Sequence, residues 1–422
     1  MILIQNACIW SGSGEKIDRG YLWIDAPAIR SMGAGDPPSD LMSAHQGPVL
    51  DANGGWIVPG FIDAHCHIGL FNDGVSLEGY DANESSDPVT PQMQAVDGLF
   101  FDDRCFKEAL AYGVTTVMTG PGSANVLGGS FALLRTAGRS FDTMLIRDQA
   151  AIKAALGENP KKSYGRRDRA PMTRMANAAF LRDALIKAQH YKRQKEQHEA
   201  QSDEKKGEAP APDTRWEALI PVLGGELPLK IHAHRSDDIQ TAIRIAEAFG
   251  LRYTLDHCTE GYLIVDQLVQ VYKRGREPGH GCGQPGMGRL EGVITGPLLS
   301  DRSKPELSRA DLRNPGILAS AGLPVAIMTD HPVVPEQHLS LSAAATVRAG
   351  MSEEQALSAI TLNAAKILDL DHERGSLEPG KRADLSIFSC HPFHYQTKTR
   401  FVFIDGQLVF QGPGETWPEE TR

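Results

Sequence analysis

Short apolar runs alternate with turn residues over positions 1 to about 56, reading ILIQNACIW, SGSGEK, YLWIDAPAIRSM and GAGDPPSD. Apolar segments bounded by Gly, Ser, Asp and Pro predict β-hairpins. The same texture returns in ADLSIFSC and RFVFIDGQLVF, where Asp405-Gly406 stands between two apolar runs as a hairpin turn does. Two β-rich ends around a long middle predict a small β-sandwich domain assembled from both termini, residues 1–56 and 371–422. Between them, GFIDAH, VTTVMTG, TMLIRD, AIKAALG, LPLKIHAH, RYTLDHC, GVITGP and LPVAIMTD alternate with helical patterns such as DRCFKEALAYG and DIQTAIRIAEAFG. That order predicts an α/β fold, a (β/α)8 TIM barrel over residues 57–370, with TMLIRD the weakest strand candidate. Such a barrel takes about 250 residues, so the middle section carries an insertion. It falls at about 160–215, where AFLRDALIKAQHYKRQKEQHEAQSDEKKGEAPAPD begins as an amphipathic helix and ends in a charged Pro/Ala tract that predicts a mobile loop. Its RRDR and KRQK clusters read first as solvated surface. Ser352 with Gln355 is a capping box opening a late helix.

Composition narrows the function classes. The chain has 422 residues, 41% hydrophobic and 23% charged, which supports a sizeable core and excludes whole-chain disorder. A net charge of −10 opposes binding to nucleic acid or an anionic membrane surface. The N-terminus lacks the pattern of a signal peptide, and no stretch reaches about 18 uninterrupted apolar residues, so neither export nor membrane spanning is expected. Cys8, Cys66, Cys105, Cys258, Cys282 and Cys390 stand apart with no CxxC pair, which fits a reducing compartment, the cytoplasm.

Candidate chemistry sits at the ends of the predicted strands. In Asp63-Ala-His65-Cys-His67 the histidines are two apart, so in extended backbone both imidazoles face one point. Lys230-Ile-His232-Ala-His234, Asp256-His257-Cys258 and Thr329-Asp330-His331 end three more strands. Catalytic groups of such barrels come from the C-terminal ends of several strands, so these histidines and an aspartate are expected to meet at one mouth. Imidazoles with a carboxylate suit a divalent metal, zinc first and iron, manganese or nickel after it. Two glycine-rich stretches are further candidates. Residues 119–130 read as a strand-to-helix loop able to form an anion nest, and 272–288, with His280 and Cys282, read as an active-site lid.

These motifs, VPGFIDAHCH, GVTTV, KIHAHR, TLDHC, TDHP and GSLEPGKRADLSIF with IDGQLVF, resemble the amidohydrolase superfamily of metal-dependent barrel hydrolases, most nearly its imidazolonepropionase-like branch, over nearly the whole chain. The resemblance implies metal ligands at His65, His67, His232, His257 and Asp330. Asp330 also takes a proton from the attacking water, and His257 binds a second ion or contacts substrate. His234 would lie behind His232 or against substrate. For strand four, Glu158 in LGENP is the preferred ligand and Lys153 in IKAAL, carboxylated in many relatives, is the alternative. Arg235 stands where many deaminases carry an acidic proton shuttle, which lowers the weight of ring deamination and suggests a contact to a substrate carboxylate.

The expected activity is hydrolysis of a C–N bond in an amide, cyclic amide or peptide-like small molecule, with one or two divalent ions, in a homo-oligomer by base rate. A deaminase or ester hydrolase on the same scaffold is the competing enzyme. A non-catalytic scaffold binding partners through the 160–215 arm is the competing class.

Overall fold

A computed structural model describes residues 1–14, 16–74, 77–201 and 209–418. The N-terminal strands are β1 (Ile2–Ile9), β2 (Ile17–Asp25), β3 (Ala28–Ala34), β4 (Val49–Asp51) and β5 (Trp56–Pro59). The barrel strands are β6 (Phe61–Cys66), β7 (Val114–Thr119), β8 (Leu127–Arg135), β9 (Leu145–Ala155), β10 (Leu229–Ala233), β11 (Arg252–His257), β12 (Arg289–Thr295) and β13 (Val325–Ile327). The chain returns through β14 (Leu385–Phe388), β15 (Thr399–Ile404) and β16 (Gln407–Gln411).

Strands from both ends of the sequence form one eight-stranded sheet in the order β16-β15-β14-β5-β1-β2-β3, with β4 on β1. Asp405 and Gly406 both take positive φ and join β15 to β16 as a two-residue turn, the geometry that the Asp-Gly pair predicts. β14 runs antiparallel to β5, and a single residue, Gly60, separates β5 from β6. No side chain fits at that crossing, because a Cβ on Gly60 would lie 2.2 Å from Thr115 Oγ1.

The second sheet runs β13-β12-β11-β10-β9-β8-β7-β6 and nearly closes into a barrel. Across the remaining gap, His67 N–H donates to the His331 carbonyl at 3.0 Å and Asp330 N–H to the His65 carbonyl at 3.2 Å. The buried Asp63 carboxylate accepts from Thr329 N–H (2.9 Å) and Thr329 Oγ1 (2.6 Å), so a side chain adds to the few backbone bonds across the gap.

The expected order of parallel barrel strands is corrected here. The eight strands are not all parallel, since β8 runs antiparallel to both β7 and β9. The expected third and fourth strands, TMLIRD and AIKAALG, are largely one strand, β9, and the true third strand comes from the stretch read as a glycine loop. An antiparallel neighbour needs only a short connection, and residues 120–126 provide one with no crossover helix. Gly128 and Gly129 belong to β8 because backbone packs against them: a Cβ on Gly129 would lie 2.1 Å from the Met93 carbonyl oxygen.

The predicted lid is the other correction. Residues 275–288 follow a helix and precede β12, so they lie at the starting ends of the strands, where Gly283 N–H bonds Gly250 O and Gly286 N–H bonds Glu247 O.

The insertion holds the expected helix, Arg174–Glu199, opened by Thr173, whose side chain accepts Ala176 N–H. Leu181, Ala184, Leu185 and Ala188 recur at helical spacing and bury against Ile239 and Ile243 of the helix Ser236–Phe249. Most of the predicted mobile loop, residues 202–208, lies outside the described residues. The capping box at Ser352 and Gln355 is present. Among the described residues no helix is long and apolar enough to cross a membrane.

Gly129→Ala would force a methyl group against rigid backbone and is expected to cost about 1–3 kcal/mol. A melting temperature unchanged from wild type would contradict the close approach.

Candidate functional site

The histidines gather where the barrel strands end, and four of the five rings are aimed by a bond to Nδ1. His65 Nδ1–H donates to Asp256 Oδ2 at 2.6 Å. His67 Nδ1–H donates to the Gly120 carbonyl at 2.7 Å, and His257 Nδ1–H to the Gly296 carbonyl at 2.8 Å. His234 Nδ1 hydrogen-bonds Thr259 Oγ1 at 2.7 Å. Anchoring one nitrogen leaves Nε2 of these four rings as the available donor atom, the arrangement that orients imidazoles toward a metal. The two carbonyls come from glycines at strand ends. A Cβ would meet the Phe131 ring at 2.4 Å from Gly120, and the Met328 carbonyl oxygen at 2.4 Å from Gly296, whose φ is +144°.

Two groups of donors result, each with its atoms within 4.8 Å of one another. One is His65, His67 and Asp330; the other is His232, His234 and His257. In the first, Asp330 Oδ1 lies 3.3 Å from His67 Nε2 and 3.6 Å from His65 Nε2. In the second, the His257 ring centre is 4.2 Å from that of His232 and 4.4 Å from that of His234. His257 and Asp330 reach these positions through left-handed backbone, with φ of +70° and +55°. Such conformations cost energy outside glycine and cluster at functional sites.

Beneath the mouth lies a buried charge network. Asp256 accepts from His65 and from Lys230 Nζ at 3.1 Å, and Lys230 also donates to the Ala64 carbonyl at 3.1 Å. Lys153 Nζ lies 3.1 Å from His65 Nε2. Burial pushes the Asp256 carboxyl up, but Lys230, His65 and Lys153 outweigh it and hold it well below the usual carboxylate range. Burial lowers both lysines, Lys153 to about 8 against the pull of Asp256 and Asp330. Burial likewise keeps His65, His232 and His234 neutral and brings His257 to about 4. Neutral imidazoles are the form that binds a cation.

The sequence expectations divide. His65, His67 and Asp330 come together, as do His232, His234 and His257. Glu158 does not join them: it opens the helix Glu158–Gly165, and its carboxylate pairs with Lys162 at 3.0 Å. The strand-four side chain at the site is Lys153, because β9 ends at Ala155 and Glu158 already lies beyond it. Arg235 also turns away, pairing with Asp237 at 2.8 Å on the surface.

Several members of the site were not singled out from the sequence. Lys230 is two residues before His232 and Asp256 one before His257, so both stand inside the motifs already noted. Asn159 Nδ2, 3.5 Å from His232 Nε2, and the buried Glu306, 3.7 Å from His234 Nε2, carry no local signal. Two cavities flank the second group. One of about 450 Å3 is lined by His257, Thr259, Gly296 and Arg302, and one of about 410 Å3 by Ser123, Asn159, Lys162 and Arg166.

A βα-type barrel with two histidine-rich donor groups at its mouth defines a class of hydrolytic enzymes, and the comparisons agree. Residues 292–409 match the amidohydrolase family. The chain is similar to an amidohydrolase from Thermotoga maritima MSB8 of known structure, with 37% identity and a TM-score of 0.88 over 97% of this chain and all of that one. It is 27% identical to the amidohydrolase tasK of Hapsidospora irregularis over 97% of its own length, and spans 43% of that longer protein. It is 25% identical to the imidazolonepropionase of Geobacillus thermodenitrificans, over 89% of this chain and 85% of that one. The chain belongs to the amidohydrolase family, on its imidazolonepropionase-like side, and is an enzyme acting on carbon–nitrogen bonds.

Two predictions follow from the charges. Asp256→Ala leaves Lys230 and His65 buried without their anion and is expected to cost about 3–5 kcal/mol, read by denaturant unfolding; a loss below about 1 kcal/mol would contradict the network.

The second concerns acid. His257 and His331, both brought to about 4 by burial, stay neutral in the fold below the pH at which unfolded histidine protonates, near 6.5. The unfolded chain then binds more protons, so this contribution is full above pH 6.5 and is lost as pH falls toward 4. Asp63, raised to about 6 by burial, acts in the opposite sense. His331→Asn should therefore flatten the decline in stability of metal-free protein between pH 6.5 and 4, and an unchanged slope would refute a neutral buried His331.

Proposed function

We propose that the chain is a metal-dependent hydrolase that cleaves a C–N bond of an amide, cyclic amide or peptide-like small molecule. The observation that carries this reading is the pair of donor groups at one barrel mouth, with four of the five histidine rings held by Nδ1. The donor set fits a divalent cation, zinc before the others, because its imidazoles are buried and neutral and His257 Nε2 and His232 Nδ1 have no hydrogen-bond partner among the described residues.

His65, His67, His232, His257 and Asp330 are the proposed ligands, and Lys153 takes the strand-four place in preference to Glu158. Burial favours the neutral amine of Lys153, the form that would take up carbon dioxide, with loss of a proton, to give the carboxylated lysine that the family resemblance offers as the strand-four ligand. A bound divalent ion supplies Lewis acidity, lowering the pKa of coordinated water to about 7 and polarising a carbonyl. Asp330, held ionised among His257, His67 and His65 despite its burial, takes the proton of the attacking water and passes it to the leaving nitrogen. His257, whose ring also lines the cavity of about 450 Å3, would hold its ion beside the space open to a substrate.

The same reading treats residues 1–56 and 371–422 as an accessory β-sandwich and 57–370 as the catalytic barrel. It places the protein in the cytoplasm, in keeping with six free cysteines, as a homo-oligomer acting on a small molecule.

Alanine at His65 or His67 is expected to remove bound metal and reduce turnover at least 1000-fold on the order of a lost catalytic group. Turnover is to be scored on a panel of amides, cyclic amides, dipeptides, esters and amino-heterocycles. Hydrolysis confined to esters, or ammonia release from the heterocycles alone, would redirect the reading; full activity with normal metal content in His65→Ala would end it. Lys153→Ala should lose metal and regain part of it with added short-chain carboxylates, which a merely packing lysine would not do.

A further inference from the structure

The RRDR cluster of the sequence, Arg166-Arg167-Asp168-Arg169, stands just past the helix Glu158–Gly165, and the structure divides its charges. Asp168 takes left-handed backbone, with φ of +53°, and beyond that turn Arg169 lies over the Tyr164 ring, 5.9 Å from its centre. Arg166 and Arg167 instead line the cavity of about 410 Å3, together with Lys162, Ser123, Asn159 and Asn83. Among the described residues no carboxylate lines that cavity, although the chain as a whole carries a net charge of −10.

One side chain joins this cavity to the histidines. Asn159 Nδ2 donates to Ser123 Oγ at 2.7 Å and lies 3.5 Å from His232 Nε2, so the amide that forms part of the wall also touches the second donor group. Of the three cations, Lys162 pairs with Glu158 at 3.0 Å and Arg167 Nη1 donates to the Ser85 carbonyl at 2.9 Å. The Arg166 guanidinium has no hydrogen-bond or ion-pair partner among the described residues. An ammonium carries three N–H donors and a guanidinium five, so each of the three groups has donors left for a further acceptor. The cavity of about 450 Å3 on the other side differs: Asp301 and Asp311 line it beside Arg302, and Arg302 already donates to the Ala310 carbonyl at 2.8 Å. Cations past the end of a helix complement its dipole. That accounts for their sign, but not for the hollow lined by hydroxyl and amide groups that leads from them to His232.

We propose that this cavity seats a carboxylate of the substrate, so that the amide cleaved at the histidines belongs to an acylated amino acid or a similar acid. Arg166 is the specificity-determining residue, with Lys162 and Arg167 beside it and Asn159 and Ser123 on the path toward the donor groups. The proposal rests on the hydrolase reading above and narrows its substrates to acids. It also moves the contact that the sequence suggested for Arg235, which pairs with Asp237 on the surface, to a different arginine. A guanidinium meets a carboxylate through two parallel charge-assisted bonds, and a carboxamide of the same shape cannot answer both. Arg166 and Arg167 are exposed, so added salt weakens the contact.

The test uses matched probes on zinc-loaded protein: a series of N-acetyl amino acids and the corresponding carboxamides, scored by acetate released. Wild type is expected to favour the acids by at least about tenfold in kcat/KM, chiefly through KM, and to lose part of that preference as sodium chloride rises from about 0.05 to 0.5 M. Arg166→Met should bring the preference below about threefold. Arg169→Met, which removes the charge turned toward Tyr164, should keep it. Circular dichroism melts check that both variants fold. Calorimetric titration of the same proteins with the acids reads binding apart from turnover. Hydrolysis with no preference for acids, a preference that survives Arg166→Met, or an equal fall in Arg169→Met overturns the carboxylate seat and leaves the hydrolase reading standing. Binding of acids that depends on Arg166, without hydrolysis, upholds the seat and overturns the hydrolase reading. Neither binding nor hydrolysis overturns both.

Discussion

The Asp256 carboxylate is the constraint on which the mouth of this barrel depends. It is fully buried, it receives His65 and Lys230 from two other strands, and it lies within the field of Lys153. A lone anion at that depth would be prohibitively costly, and so would two lysines without it; together they form a network that is neutralised only when all members are in place. Because its partners come from β6, β9 and β10, the network fixes how those strands are staggered, and the rings above inherit that stagger. The arrangement is better described as a charged floor than as a hydrophobic core with a site placed on top.

Backbone exceptions then carry the side chains from that floor to the mouth. In regular strands neighbouring residues face opposite ways, so Asp256 pointing into the barrel would send His257 outward, and Thr329 bound to Asp63 would do the same to Asp330. Positive φ at His257 and Asp330 breaks the alternation at the step where both members of each pair are wanted on one side. Glycine at 120 and 296 lets the neighbouring carbonyls come close enough to hold His67 and His257. Local conformational cost is thus concentrated where the orientation of a nitrogen matters most.

Much of this was legible from the sequence. Histidines two apart at strand ends, the alternation of strands with helices, the Asp-Gly turn and the capping box are local signals, and the structure carries each of them. The parts that escaped are non-local. β8 was hidden because Gly128 and Gly129 read as loop, and only the approach of Met93 from another segment explains them. Glu158 stood in the right stretch but past the end of its strand, a shift of a few residues that spacing alone does not resolve. Glu306 enters from a loop whose composition carries no periodicity, so its meeting with His234 exists only in three dimensions.

The single glycine between β5 and β6 joins the two sheets more tightly than a linker would. β14 pairs with β5 along Trp56–Pro59, immediately before the strand that carries His65 and His67. During synthesis, β5 therefore has only its neighbour β1 until residues 385–388 have been made, more than 300 positions later. Sequence separation of this kind slows folding and prolongs exposure of unpaired edges. The sheet that flanks the barrel is thus completed only by the last strands of the chain, on the residues immediately before His65 and His67.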